Sequence, residues 1–154
     1  AFLLPPQFLN ARTTNVFVMR RNATYFFSLD QPTDADAPLQ TVVISPQNLT
    51  RHLQPYRLDQ TVAFSGTPRD AQNELSLGNV AIDEDTKAVT VEFDPPVAPG
   101  QLVTIGLRPR RNPRLDGIYV FRVTAIPEGE QPRPHIAGHG RLYFSDIERD
   151  RIYR

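Results

Sequence analysis

Two histidines four residues apart, His135 and His139, come nearest in this sequence to the spacing of a chemical site. Imidazole nitrogens bind zinc and copper, and on a helix this spacing would place both rings on one face. Flanking prolines and glycines disfavour a helix, and in an extended chain the pair would share a side but lie about 13 Å apart. A metal site therefore requires a loop that joins them, with Asp146 or Glu148 as third ligand; a structural role is the alternative.

A second candidate is an arginine-rich loop between two apolar segments. The guanidinium group forms paired hydrogen bonds with phosphate, sulfate or carboxylate, so this loop could bind an anion or the carboxylates of a partner. The alternative is a loop whose arginines pair with nearby acids such as Glu92 and Asp116. The four arginines are Arg108, Arg110, Arg111 and Arg114.

Motifs of several enzyme classes are missing. The sequence has no G-x-S-x-G segment, no phosphate-binding loop and no H-E-x-x-H, and it contains no cysteine that could act as a nucleophile or form a disulfide. We therefore predict a protein that is not an enzyme and needs no cofactor. Paired carboxylates are set by distance in the fold, so a hydrolase without a recognisable motif remains an alternative.

The charge and hydropathy patterns restrict the partners. The formal net charge is zero, and the arginine loop has no interleaved aromatic residues for stacking on bases, so we expect no nucleic acid. No apolar segment reaches the ~18–20 residues of a membrane span. The chain starts at Ala1 instead of methionine, as removal of an export signal would leave it. A secreted location (periplasm, extracellular space or cell surface) is expected.

The first nine residues form an apolar segment interrupted by two prolines. Because exposed apolar chain ends favour association, the segment should pack on a surface. It could lie along its own domain as an edge strand, or add to the sheet of a neighbouring subunit. The predicted contact residues of this arm are Phe2, Leu3, Leu4, Phe8 and Leu9.

These candidates must be positioned by strands. Three segments between Val89 and Val123 alternate apolar and polar residues, which is the period of a strand with one buried face. Pro95–Pro96 should take the chain out of the sheet, because proline donates no ladder hydrogen bond. Shorter strands are expected before this region, including Val16–Met19, with one or two helical turns at 47–53.

A tyrosine pattern indicates the fold. Tyr119 begins an alternating segment and precedes a core position, Phe121, by two residues. In immunoglobulin-like sandwiches a tyrosine at this place bonds an upstream backbone group, two residues before a core cysteine. We therefore predict an all-β, immunoglobulin-like antiparallel β-sandwich of about seven to nine strands with extended N- and C-terminal arms.

Several strings resemble an uncharacterised family of exported cyanobacterial proteins. They are F-S-G-T-P-R from Phe64, V-T-V-E-F-D-P-P-V-A-P-G from Val89, V-T-I-G-L-R-P-R-R-N-P-R from Val103, and G-I-Y-V-F-R-V-T-A-I-P-E-G-E from Gly117. The string G-H-G-R-L-Y-F from Gly138 is similar as well. The resemblance implies a secreted all-β protein without established activity, so it transfers no catalytic residue.

The sequence thus predicts one domain, with an N-terminal arm at 1–14, a sandwich at 15–144 and a charged tail at 145–154. The expected function is a non-catalytic exported structural or interaction module that binds protein. It could self-assemble into fibres or a surface layer, by strand addition through its arm. An exported carrier of a metal or anion is the alternative.

Overall fold

The computed structural model of the chain describes residues 2–146, which form ten strands and two short 3-10 turns, Thr50–His52 and Leu58–Gln60. The strands are β1 (Gln7–Thr13), β2 (Tyr25–Asp30), β3 (Leu39–Pro46), β4 (Val62–Thr67), β5 (Asp70–Glu74), β6 (Leu77–Ile82), β7 (Val89–Val97), β8 (Leu102–Leu107), β9 (Gly117–Pro127) and β10 (His135–Phe144). They build two antiparallel sheets, one with the order β1–β2–β8–β4–β5 and one with the order β10–β9–β3–β7–β6.

The predicted all-β, immunoglobulin-like sandwich is confirmed. The described residues hold ten strands where about seven to nine were expected. One addition is β1, because the N-terminal arm itself pairs with β2. Another is β5, because the turn at Pro68 and Arg69 sends the chain back along β4.

The core lies between the sheets and is filled by the inward-facing residue of each alternating pair. On β9, Tyr119, Phe121 and Val123 are buried while Ile118 and Arg122 are exposed. Fully burying one such apolar side chain contributes about 1.5–3 kcal/mol, so alternation over many strands supplies most of the driving force.

The predicted tyrosine contact is also present. The hydroxyl of Tyr119 donates a hydrogen bond to the carbonyl oxygen of Leu115, four residues upstream. Phe121 is 1% exposed at the place where antibody domains have a cysteine. Its ring meets that of Phe27 from the opposite sheet, with centroids 5.4 Å apart. An aromatic contact therefore joins the sheets here.

The predicted departure from the sheet at Pro95–Pro96 comes later, because β7 continues to Val97, which pairs with Leu39, and the chain leaves the strand at residues 98–100. The register shifts between Leu39 and Thr41, so the prolines lie in an irregular part of the ladder where no donor is needed. Gln40 instead donates its side-chain amide to the carbonyl of Phe93, at 2.7 Å.

Two other predicted elements are shorter. Val16–Met19 is no strand; Phe17 alone pairs there, in a parallel bridge with Ser145. The side-chain amide of buried Asn112 donates to the carbonyls of Asn15 and Phe17, 2.9 Å each, and so replaces a ladder. The expected helical turns at 47–53 are the single turn Thr50–His52.

Candidate interaction surface

The outer face of the second sheet carries exposed apolar side chains. Tyr143 on β10 and Ile118 on β9 lie directly opposite each other, and they are 58% and 53% exposed. Ile136, nearer the start of β10, is 49% exposed on the same side. Open faces of antiparallel sheets are usually polar, so large half-exposed apolar residues are unusual there. We name this outer side of β9 and β10 the Tyr143 face.

Two arginines and a histidine lie between these apolar positions. Arg141 and His139 project from β10 on the same side, and His139 lies opposite Arg122 of β9. All three are exposed. The Tyr143 face therefore combines an aromatic, isoleucines and arginines, a composition enriched at protein interfaces.

A bulge in β10 decides where the two histidines point. The register shifts between Ile136 and Gly138, so His135 lies opposite buried Ala125 and His139 lies opposite exposed Arg122. The extra residue reverses the alternation, which puts the two rings on opposite sides of the sheet. The expectation that an extended chain places them on one side was therefore wrong.

No metal centre forms around this pair among the described residues. Nowhere in residues 2–146 do three His, Cys, Asp or Glu side chains lie close enough together to hold an ion. Of the two suggested third ligands, Asp146 is described, and Glu148 lies outside the described residues. The predicted metal pair, His135 and His139, is thus separated by the sheet itself.

The arginine-rich loop is anchored by its backbone and by Asn112. The amide of Arg110 donates to the carbonyl of Pro55 (2.8 Å), and that of Arg114 to the carbonyl of His52 (3.2 Å). Asn112 accepts a hydrogen bond from the hydroxyl of Tyr25, at 2.7 Å. Arg110 and Arg114 are exposed and Arg111 is half-buried. The loop is therefore held by its backbone and by Asn112, while two of its four predicted arginines face solvent.

Arg108 of that group lines a cavity together with an arginine that the sequence did not single out. A cavity of ≈ 290 Å³ is lined by Arg108, Arg57, Gln60, Asn22 and neighbouring residues. The amide of Arg57 donates to the carbonyl of Arg108, at 2.8 Å, so their backbones are in contact. No local signal in the sequence joins two residues so far apart.

In the structure the N-terminal arm lies along its own domain. Phe8 packs over two glycines of β10: a Cβ added at Gly140 would lie 2.6 Å from Cζ of Phe8, and one at Gly138 2.7 Å from its Cβ. Phe2 also packs on the core. The remaining arm residues stay outside, with Leu3 72%, Leu4 47% and Leu9 50% exposed.

Three buried phenols have altered acidity. Burial raises the pKa of Tyr25 and of Tyr56 well above the ordinary value. The pKa of Tyr119 is raised to about 12, first by burial and then by the nearby carboxylate of Asp116. Each phenol is therefore neutral in the folded protein, which suits hydrogen bonding and packing more than proton transfer.

Comparison with solved structures shows the fold class. The collagen-binding subdomain of the Enterococcus faecalis surface protein ACE is similar with a TM-score of 0.50 and 6% identity, over 91% of this chain and 98% of that one. The C-terminal domain of the Streptococcus pyogenes antigen I/II-family protein AspA is similar with a TM-score of 0.48 and 12% identity. That match covers 88% of this chain, which spans only 46% of the AspA domain.

A collagen-binding domain from a Staphylococcus aureus adhesin gives a TM-score of 0.42 at 9% identity, over 80% of this chain and 87% of that one. None of the curated proteins compared with the chain matches it. No helix in residues 2–146 has the length and apolar character needed to cross a membrane.

The sequence model of one family matches residues 1–144, and its description is a protein of unknown function, DUF2808. This confirms the expected likeness to a family without established activity; the cyanobacterial origin and the export of the chain stay predictions. The chain belongs to the DUF2808 family.

Proposed function

We propose that this chain is a non-catalytic, protein-binding module of a surface-exposed protein, and that it binds its partner with the Tyr143 face. The observation that carries the proposal is the cross-strand pair Tyr143–Ile118, of which more than half of each side chain is exposed on an open sheet. Leaving such apolar area in water is unfavourable, and a partner that covers it would recover about 25 cal/mol per Å².

The charges on this face suggest the chemistry of the partner. Arg122 and Arg141 are exposed on neighbouring strands. The outward-facing residues of β9 from Ile118 to Ile126, and those of β10 from Ile136 to Tyr143, include no acid. A partner surface with carboxylates around an apolar centre would complement them. Arginine also suits persistent interfaces, because its planar group makes paired hydrogen bonds.

The fold supports a binding role over a catalytic one. The solved structure with a TM-score of 0.50 is a collagen-binding subdomain of a bacterial surface protein, and it is covered almost completely by this chain. At 6% identity the likeness concerns the fold, so collagen is a reasonable probe and not an assigned ligand. A surface or extracellular location follows from the same proposal.

Self-association through the arm is the alternative to binding through the Tyr143 face. Since β1 already pairs with β2 and Phe8 packs on β10, only the exposed leucines Leu3, Leu4 and Leu9 are available for a neighbouring copy. Strand addition in trans would have to displace the contacts that β1 makes within its own chain. The proposal therefore favours the Tyr143 face.

A photo-crosslinking experiment in the native source tests this choice. A photoreactive phenylalanine at position 143 should give one discrete adduct with a protein, and Ile118→Thr should abolish it while leaving the fold intact. The same group at position 9, a half-exposed leucine on β1, is the matched control and should give none. An adduct from position 9 alone, or none from position 143, would overturn the proposal.

Adduct mass separates self-association from a different partner, because a second copy would double the mass of the chain. A glycosidase and esterase screen completes the test. Substrate turnover that co-purifies with the protein would contradict the non-catalytic role.

A further inference from the structure

We infer that the cavity lined by Arg57 and Arg108 is an oxyanion-binding site for a sulfate or phosphate group. It lies apart from the Tyr143 face, at one end of the first sheet, and has a volume of ≈ 290 Å³. Besides the two arginines, its polar lining comes from Asn22, Thr24 and Gln60.

Three neighbouring strands bring these residues together. The residues Asn22 and Thr24 precede β2, Arg108 follows β8, and Arg57 and Gln60 precede β4, which are adjacent in the order β2–β8–β4. Because neighbouring strands are antiparallel, the start of β2, the end of β8 and the start of β4 meet at one edge. An antiparallel bridge between Tyr56 and Pro109 fixes the connection that carries Arg57.

No carboxylate within residues 2–146 neutralises the two positive charges. The cavity lining contains no acidic residue. Among the described residues the one ion pair joins Lys87 and Glu84, so neither arginine contacts a carboxylate. Backbone contact between Arg57 and Arg108 nevertheless holds the two charges in the same region. An anion between them would replace mutual repulsion with two attractions.

One nitrogen of Arg108 lacks a hydrogen-bond partner among the described residues. The Nε of Arg108 is inaccessible to solvent and donates to no acceptor in the described structure. Leaving a buried donor unsatisfied is costly, more so when the group is charged. A rotation of the Arg108 side chain towards the cavity would let an anion oxygen supply the missing acceptor.

The donor set indicates the class of anion. The lining residues carry two guanidinium groups, the side-chain amides of Asn22 and Gln60 and the hydroxyl of Thr24. A tetrahedral sulfate or phosphate group presents three or four oxygens in different directions and can serve more of these donors than a planar carboxylate can. The site would therefore prefer sulfate or phosphate to acetate.

Titration calorimetry with the full chain tests the site, using inorganic sulfate, inorganic phosphate and acetate at matched ionic strength. The wild-type chain should bind sulfate or phosphate and should bind acetate more weakly. Arg57→Gln should weaken binding by about tenfold or more. Arg110→Gln is the matched control, because it removes one charge from the same loop outside the cavity, and it should leave the affinity unchanged.

A second readout covers the case in which a variant folds poorly. The nitrogen resonance of the Arg108 side chain in the wild-type protein should shift on adding sulfate, because its Nε–H gains an acceptor. No sulfate binding by the wild type, equal weakening by Arg110→Gln, or an unchanged Arg108 resonance would overturn the inference.

A sulfated disaccharide distinguishes the source of the anion. If the disaccharide binds more tightly than inorganic sulfate does, the site recognises a sulfate group carried by a glycan. If the two bind with equal affinity, the site recognises the free ion.

Discussion

The rings of Phe27 on β2 and Phe121 on β9 meet across the two sheets, with centroids 5.4 Å apart and planes at 71°. Both side chains are buried, at 0% and 1% exposure. Edge-to-face pairs of this kind contribute about 0.5–1.5 kcal/mol beyond their buried area. The contact lies where antibody domains carry their inter-sheet disulfide, so a protein without cysteine joins its sheets here by aromatic packing.

A double-mutant cycle should measure this contact. Phe27→Leu and Phe121→Leu are each expected to lower the free energy of unfolding by about 1–3 kcal/mol, since each removes buried ring atoms. Together they should cost less than the sum, by about 0.5–1 kcal/mol, measured by urea unfolding. The matched control is the half-exposed pair Phe26–Phe64, with centroids 6.0 Å apart, where smaller single effects are expected. Additive costs at Phe27 and Phe121 would contradict the coupling.

The hydrogen bond of Tyr119 makes a second prediction. Tyr119→Phe removes this donor from the carbonyl of Leu115, and it should lower the free energy of unfolding by about 0.5–1.5 kcal/mol. Tyr143→Phe is the control, because that side chain is 58% exposed, and it should change stability by less than about 0.5 kcal/mol. Equal effects of the two changes in urea unfolding would show that the contact is unimportant.

A third prediction concerns the packing of the arm on β10. Gly140→Ala places a Cβ 2.6 Å from Cζ of Phe8 and 3.0 Å from Cβ of Ala11, so the arm must move away. We expect a loss of about 1–3 kcal/mol and faster proteolytic cleavage within β1. Adding Phe8→Leu to Gly140→Ala should recover part of the stability, because a shorter side chain relieves the overlap.

The control for this substitution is Gly78→Ala. Its new Cβ would lie 2.7 Å from a carboxylate oxygen of exposed Glu92, which can rotate aside, and 3.4 Å from Cβ of Asp94, which is an ordinary van der Waals contact. Gly78→Ala should therefore leave β1 protected from protease. Unchanged cleavage of β1 in Gly140→Ala would show that the arm does not depend on this contact.

A fourth prediction follows from the buried phenols. Tyr25 and Tyr56 have raised pKa values through burial, and the pKa of Tyr119 is raised to about 12. In the unfolded chain tyrosine titrates near pH 10, so above that pH the unfolded state loses protons that the folded state retains. The stabilisation from keeping Tyr119 neutral is complete below about pH 10 and is lost as the pH rises through about 12, and for Tyr25 and Tyr56 the loss extends to higher pH.

Urea unfolding at a series of alkaline pH values measures this loss. Each retained proton should give a slope of about −1.4 kcal/mol per pH unit. Tyr119→Phe removes one of the titrating groups and should make the slope shallower. A free energy of unfolding that stays constant above pH 10 would contradict the assigned burial.

Local patterns in the sequence were enough to predict several features. Alternating residues predicted β7, β8 and β9, and the spacing of Tyr119 and Phe121 predicted both the sandwich and the hydroxyl contact. These succeed because a strand with one buried face repeats every two residues, and this period is visible without knowing the partner strand. The same reasoning failed at Pro95–Pro96, where a shift in register lets prolines stay in the strand.

The candidate sites depended on the tertiary structure. A single extra residue in β10 put His135 and His139 on opposite sides, and the adjacency of β2, β8 and β4 brought Arg57 to Arg108. The sequence determined which residues alternate and therefore which faces are buried. Only the tertiary structure decided which distant residues meet. A bulge, or a contact between separate strands, depends on packing between strands, and this packing leaves no periodic pattern in the sequence.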